Sequence, residues 1–237
     1  MKKAQGVWRH EDKYFVHDLE IDLLHARLHG LLQPDKHTPA KGFYHISSLY
    51  FDDWENNILW QNINGVNDRT KYRIRRYEDG SLYLEEKCKQ NGLTHKESVS
   101  ISRDAVRRLL VGDLLKFEEI PTPMMRRFAL KQRINRLRPT VIVDYDRTAF
   151  VCSTCNVRIT FDRNISASAY VEQFLKSTHM IPVFETGRHI LEVKYDALLP
   201  DYIEKALHTG KMQITASSKY TLARNIALMS KRKETKL

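Results

Sequence analysis

The chain has 237 residues, 42% of them hydrophobic, which fits one large globular domain or two small ones and excludes a disordered polymer. Its 39 Lys and Arg against 29 Asp and Glu give a formal charge of +10, which favours polyanionic partners such as nucleic acid, an anionic membrane, polyphosphate or a nucleotide. Cys88, Cys152 and Cys155 form no framework of paired spacings and read as reduced thiols of a cytoplasmic protein, and neither a run of about 18 apolar residues nor a signal-like apolar start is present.

In chain order, a first strand is expected over 6–16. Asp18 is placed to cap a helix reaching about residue 33, with Leu19, Leu23, Leu24, Leu28, Leu31 and Leu32 as its apolar stripe and Pro34 as its stop. Phe43 to Phe51 reads as a strand and Asp52 to Asn57 as its turn. Strands at 69–78 and 81–89 are joined by Asp79-Gly80, a dipeptide favoured in tight hairpins. A strand near 94–102 precedes Ser102-Arg103-Asp104, which opens a short helix, and a second helical stretch runs over 123–137. Strands return at 139–150, 156–163 and 188–196, with Cys152-Ser153-Thr154-Cys155 as a turn and a partly helical connection before the last strand. Helices are expected at 200–209 and 217–231. With no linker or repeat, 1–237 reads as one domain, its end (217–237) a helix and a basic tail in which Lys231 to Lys233 are solvated.

Side chains alternate across a strand, so residues two apart share a face. Lys71, Arg73 and Arg75 fall together, opposite Tyr72 and Ile74; Glu85, Lys87 and Lys89 fall together, opposite Leu82, Leu84 and Cys88. The same sorting groups Glu11 with Lys13, Tyr145 with Arg147, Arg158 with Thr160 and Asp162, and Glu192 with Lys194. Each strand alone fits the solvated side of an antiparallel sheet. Arg and Lys recurring beside a single acid in so many strands fit instead a closed barrel with a charged interior and helices covering its apolar exterior. A ring of buried cations is costly without partners, which implies an anionic occupant.

Several segments carry a resemblance: Arg9-His10-Glu11-Asp12-Lys13-Tyr14, Ser48-Leu49-Tyr50-Phe51-Asp52, Tyr72-Arg73-Ile74-Arg75, Leu84-Glu85-Glu86-Lys87, Asp144 to Phe150, Arg158 to Asp162, Leu191 to Tyr195 and Ser217-Ser218-Lys219-Tyr220. Across nearly the whole chain the sequence resembles the triphosphate tunnel metalloenzymes (CYTH-like), and within them the catalytic domain of the vacuolar transporter chaperone (VTC) polyphosphate polymerases.

The resemblance implies an α+β fold built on an eight-stranded antiparallel β-barrel with helices packed outside. It implies transfer of the γ-phosphate of ATP to a growing polyphosphate. Arg73, Arg75, Lys87, Arg147 and Lys219 would act on the reacting phosphates, and Lys13, Arg158, Lys194, Tyr145 and Ser218 would bind substrate. Glu192, with Glu11, Glu85 and Asp162 behind it, would hold Mn2+ or Mg2+. The alternatives are a triphosphatase of the same fold, or a non-catalytic module for polyphosphate or an inositol phosphate. Hydrolytic members of the group begin with Glu-x-Glu-x-Lys; here the first position is Arg9, which favours the polymerase branch. The membrane domains that accompany the eukaryotic polymerases have no counterpart in the sequence, so a membrane partner would be a separate protein. Nucleic acid is not expected, because no stacking platform or recognition helix is apparent. His10, His17, His45 and His189 pair with no catalytic partner and read as structural, and Trp8, Trp54 and Trp60 as packing residues.

Overall fold

Eight strands carry the architecture: β1 (His10–His17), β2 (Tyr44–Asp52), β3 (Arg69–Tyr77), β4 (Leu82–Gln90), β5 (Leu93–Ser100), β6 (Arg138–Cys152), β7 (Val157–Ser168) and β8 (Arg188–Tyr195). A computed structural model describes residues 7–116, 118, 120–176, 179–210 and 212–234, without side chains for 231–234. The expected solvation of Lys231 to Lys233 and the tail at 235–237 therefore lie outside the described residues.

The strands form one antiparallel sheet in the order β1-β8-β7-β6-β2-β3-β4-β5, to which two-residue strands at Gln33–Pro34, Ile181–Pro182 and Gln213–Ile214 attach. Its two ends meet where Arg9 and Thr94 exchange backbone hydrogen bonds of 3.0 and 2.8 Å. The sheet thus curls round on itself as the expected eight-stranded barrel, joined along a short seam.

Strand parity sets what lies on each side. On the outside, Tyr72, Ile74, Leu82 and Leu84 pack against α3 (Arg103–Leu110) and α4 (Pro123–Ile134) through Val106, Leu109, Met125 and Phe128. Ile159, Phe161, Leu191 and Val193 pack against α1 (Asp18–His29) and α5 (Asp201–Leu207) through Ile21, Leu24, Leu28 and Ile203. Each such side chain removed from water contributes about 1.5–3 kcal/mol, which offsets the cost of a charged interior. The last helix, α6 (Lys219–Glu234), behaves differently. Its Tyr220, Ala223 and Ala227 pack on Ile46, Val141 and Val143, which share the inward face of their strands with Tyr145. Helix α6 therefore stops one end of the barrel and carries Lys219 into the interior.

Several local expectations need correction. Helix α1 buries Ile21, Leu24 and Leu28, at helical spacing, whereas Leu19 is 84% exposed and Leu23 and Leu31 are also exposed. Asp18 is the first helical residue and not the cap; Glu20 turns back to accept from the His17 amide at 3.0 Å. The turn expected at 52–57 runs into a further helix, α2 (Asn57–Ile63), because buried Asp52 accepts from the amides of Ile58 and Leu59 at 2.9 and 3.1 Å and satisfies its N-terminus. Trp54 and Trp60 are exposed beside and on α2, not packed. Cys152 and Cys155 do lie at the expected turn between β6 and β7, but they are disulfide-bonded to each other where free thiols were expected. The turn brings their Cα atoms to 5.7 Å, within reach of a disulfide. Cys88 is free.

Candidate functional site

The inward faces of the strands and the start of α6 enclose three adjoining cavities. The widest, about 720 Å3, is lined on its inner side by Arg73, Arg75, Lys87, Arg147, Arg158 and Lys194. Five of these six also line a narrow throat together with Lys13, Lys71, Tyr145, Glu192 and Lys219. A third cavity continues past Lys13, Lys71 and Lys87 to Arg69 and Lys89. Every expected site residue lines one of these spaces except Asp162, which lies behind Arg147 and Lys219. The convergence follows from register: Glu11 pairs with Lys194 and Lys13 with Glu192 across β1 and β8, Arg73 with Glu85 across β3 and β4, and Arg147 with Asp162 across β6 and β7.

Each interior carboxylate is the hub of a cluster of cations. Glu85 is 2.7 Å from Arg73, 3.5 Å from Arg75 and 2.9 Å from Lys96. Glu11 is 2.7 Å from Lys87, 3.0 Å from Lys13 and 3.5 Å from Lys194. Glu192 is 2.7 Å from Lys219 and 3.5 Å from Lys194. Asp162 takes both Arg147 and Lys219. Burial alone would raise these four carboxyls; the adjacent ammonium and guanidinium groups overcome it and hold all of them below the usual carboxylate range.

Tyrosine hydroxyls hold the arginines. Arg73 donates to Tyr50 at 2.9 Å, Arg75 to Tyr77 at 3.2 Å and to Tyr145 at 3.4 Å, and Arg158 to Tyr44 at 3.2 Å and to Asp35. The ring of Tyr145 carries Arg147 at 5.1 Å and Lys219 at 5.3 Å from its centroid. Burial would raise the Tyr145 hydroxyl, but Arg75 and Arg147 draw it below the ordinary phenol value. Ser218 lines the throat, and its hydroxyl accepts from the Thr221 amide at 3.1 Å as the cap of α6.

The cations outnumber the carboxylates, and the surplus shows at particular residues. Lys71 has no carboxylate within ion-pair distance among the described residues; burial, then Lys13, Lys87 and Arg69, push its ammonium well below the usual lysine range. Lys87 is pushed down to about 7 by burial despite its Glu11 partner, and Lys96 to about 8. Arg75 Nε is buried with no hydrogen-bond partner among the described residues.

Lys71, Lys96, Tyr44, Tyr50 and Tyr77 were assigned no site role in the sequence reading, whereas Tyr145 was. Lys71 was within reach of it, since it shares a face with Arg73 and Arg75. Lys96 sits in a strand, Leu93 to Ser100, whose polar run hides the alternation. Among the described residues no three His, Cys, Asp or Glu gather as a metal cluster; Glu192 shares Lys219 with Asp162 at 2.7 and 2.5 Å, and shares Lys194 with Glu11 at 3.5 Å to each.

The family described as the VTC domain matches residues 8–228. In backbone the chain is similar to an adenylate cyclase candidate from Bacillus halodurans, with a TM-score of 0.52 and 12% identity over 85% of this chain and 87% of that one. It is also similar to an adenylyl cyclase candidate from Hippeastrum described as having a dominant triphosphatase activity, with a TM-score of 0.56 and 12% identity over 93% of this chain and 97% of that one. At that identity the likeness is one of fold. No curated protein is significantly similar to the chain in sequence.

Proposed function

The chain belongs to the VTC domain family, and from that premise we propose that it transfers the γ-phosphate of ATP to the end of a growing polyphosphate held in the tunnel. The observation that supports this reading best is the meeting of Arg73, Arg75, Lys87, Arg147 and Lys194 around connected cavities in which positive charge is in excess. The proposal treats the chain as a single tunnel domain of a cytoplasmic protein, with any membrane partner a separate chain. No helix among the described residues is long and apolar enough to cross a membrane.

A terminal oxygen of the acceptor phosphate is already anionic and needs no general base. It attacks the γ-phosphorus as the bond from that phosphorus to the β,γ-bridging oxygen breaks, and ADP leaves with the electron pair. Arg73, Arg75 and Arg147 present fixed guanidinium donors to the charge on the equatorial oxygens, while Lys87 and Lys219 add point charges. Lys13, Arg158, Lys194, Tyr145 and Ser218 hold the flanking phosphates in line. Glu192 and Glu11, which share Lys194 between them, carry the hard oxygen donors that would hold a divalent ion. Mn2+ or Mg2+ held there would supply Lewis-acid neutralisation of phosphate charge. Glu85 and Asp162 then anchor the arginines.

Arg9 favours transfer over hydrolysis. It stands two residues before Glu11 and is tied to Asp196 at 2.9 Å, so β1 brings one carboxylate and not two to that end of the tunnel. The rival reading, a triphosphatase, uses the same walls with water as the acceptor. Incubation with ATP and Mn2+ and resolution of the products by length separates them. Chains longer than three phosphates, lost in folded Arg75→Ala and Lys219→Ala variants, support the proposal; orthophosphate alone supports the rival, and no turnover with any metal leaves only a binding module.

A further inference from the structure

The turn between β6 and β7 carries reactive groups that the phosphate site leaves unused. Cys152 ends β6, Cys155 lies three residues on, and the two are joined as a disulfide. Both are partly exposed, and both pack at the edge of the apolar layer under α1 and α5 that also takes Tyr14 and Tyr195. Hydroxyls attend the sulfurs. That of Tyr202, on α5, lies 3.6 Å from Cys152 Sγ and 3.9 Å from Cys155 Sγ, and Thr154 Oγ1 lies 3.3 Å from Cys152 Sγ. A thiolate formed at Cys152 therefore has two O–H donors beside it, and a sulfur whose thiolate is stabilised is the better leaving group. In the cytoplasmic protein proposed above, a disulfide is as a rule transient and redox-sensing or catalytic, not structural.

We propose that Cys152 and Cys155 form a thiol–disulfide exchange site for thiol reductants, and that their redox state governs the seam of the barrel through Arg9. A reductant thiolate attacks Cys155 Sγ; the S–S bond breaks, and its electron pair passes to Cys152 Sγ, which takes a proton from water. A second reductant thiolate attacks the reductant sulfur of that mixed disulfide, and Cys155 leaves as a thiolate and is protonated. The protein gains two electrons and two protons, and the reductant ends as its own disulfide. The link to the barrel is the next residue. Asn156 is held in the left-handed region at φ 49°; its side-chain amide donates to Asp196 at 2.7 Å and its carbonyl accepts from Arg9. Arg9 also donates to Asp196 at 2.9 Å, lines the widest cavity, and closes the barrel by its backbone bonds to Thr94. The crosslink removes conformational freedom from the turn, so opening it frees Asn156 to leave its partners. The seam then loses its support on the β1 side.

Equilibration of the full chain in glutathione buffers from reducing to oxidising, with thiols trapped by alkylation and located by peptide mass, tests the exchange site. Cys152 and Cys155 should pass together between the alkylated and the protected form within that range, reversibly and without unfolding. Hydrogen exchange in the same buffers tests the link. The Arg9 and Thr94 amides, which bond each other's carbonyls across the seam, should exchange about tenfold faster in the reduced protein, while amides between β2 and β6 stay within about twofold. The double variant Cys152→Ser, Cys155→Ser should show the fast seam exchange in every buffer. A disulfide that survives the most reducing buffer is a structural staple, and a pair that stays open in the most oxidising one is two ordinary thiols; either result overturns the proposal. Seam amides that respond neither to reduction nor to the double substitution overturn it as well. None of these readouts depends on turnover, so they stand apart from the fate of the phosphoryl-transfer reading.

Discussion

Arg147 grips Asp162 with two parallel hydrogen bonds of 2.6 and 2.7 Å, from Nε to one carboxylate oxygen and from Nη2 to the other. Lys219, delivered from α6, lies 2.5 Å from the same carboxylate. Asp162 is the rear support of the cationic wall, since it orients a guanidinium and an ammonium without lining the cavity.

Asp162→Ala leaves two buried cations short of their counter-charge. Removing one partner of a buried pair costs about 3–5 kcal/mol, so urea unfolding should show a loss of that size without ligand. Tripolyphosphate supplies negative charge to Arg147 and Lys219 and should recover part of it. Equal losses with and without tripolyphosphate would contradict this account of the wall.

Lys71 is buried among Lys13, Lys87 and Arg69 with no carboxylate in ion-pair range among the described residues. Lys71→Met should therefore act with opposite signs on two measurements. The empty protein gains about 1–2 kcal/mol against unfolding as an uncompensated charge leaves. Affinity for tripolyphosphate falls about tenfold as a phosphate contact is lost. Thermal unfolding and titration calorimetry on one sample decide the matter.

Burial holds Lys87 down to about 7 in the empty tunnel, against a usual lysine value of 10.5. Between those values the unfolded chain keeps a proton that the folded protein has released, so this group penalises folding fully below pH 7 and progressively less as pH rises towards 10.5. A phosphate beside Lys87 restores its proton. Binding of tripolyphosphate at pH 8 should take up protons, read as a dependence of the observed enthalpy on buffer ionisation enthalpy, and Lys87→Met should reduce that uptake. An uptake the substitution leaves intact would place the proton elsewhere.

Glu192→Gln keeps a hydrogen-bond acceptor for Lys219 and removes the charge a divalent ion needs. Polyphosphate synthesis should fall at least about a hundredfold. Tripolyphosphate binding in the presence of a chelator should hold or strengthen, because a competing negative charge has gone. If the variant retains manganese-stimulated synthesis, the ion is held by other groups.

The strands were legible because a period of two is local: Lys71, Arg73 and Arg75 against Tyr72 and Ile74 declare their faces wherever the strand is placed. Asp79-Gly80 marked the hairpin between β3 and β4, and Ser102 capped its helix as expected, accepting from the Ala105 amide at 3.1 Å. Leucine content misled in α1, where spacing from Ile21 to Leu28 and not the number of leucines chose the buried stripe. Helix α2 left no periodic signal, because what starts it is a carboxylate, Asp52, that a Tyr220 hydroxyl from α6 also uses.

By itself the sequence settled which side chains could share a face and that many strands carried cations on one side, since alternation and charge are properties of neighbouring residues. It did not settle which carboxylate would meet which cation, that Lys71 would be left over, or that α6 would turn inwards to bring Lys219 onto Asp162 and Glu192. Those depend on strand order, register and the Arg9–Thr94 seam, which join residues far apart in the chain. The energy of a buried charge depends on every group around it, so only the folded barrel decides which cations are compensated and which await an anion.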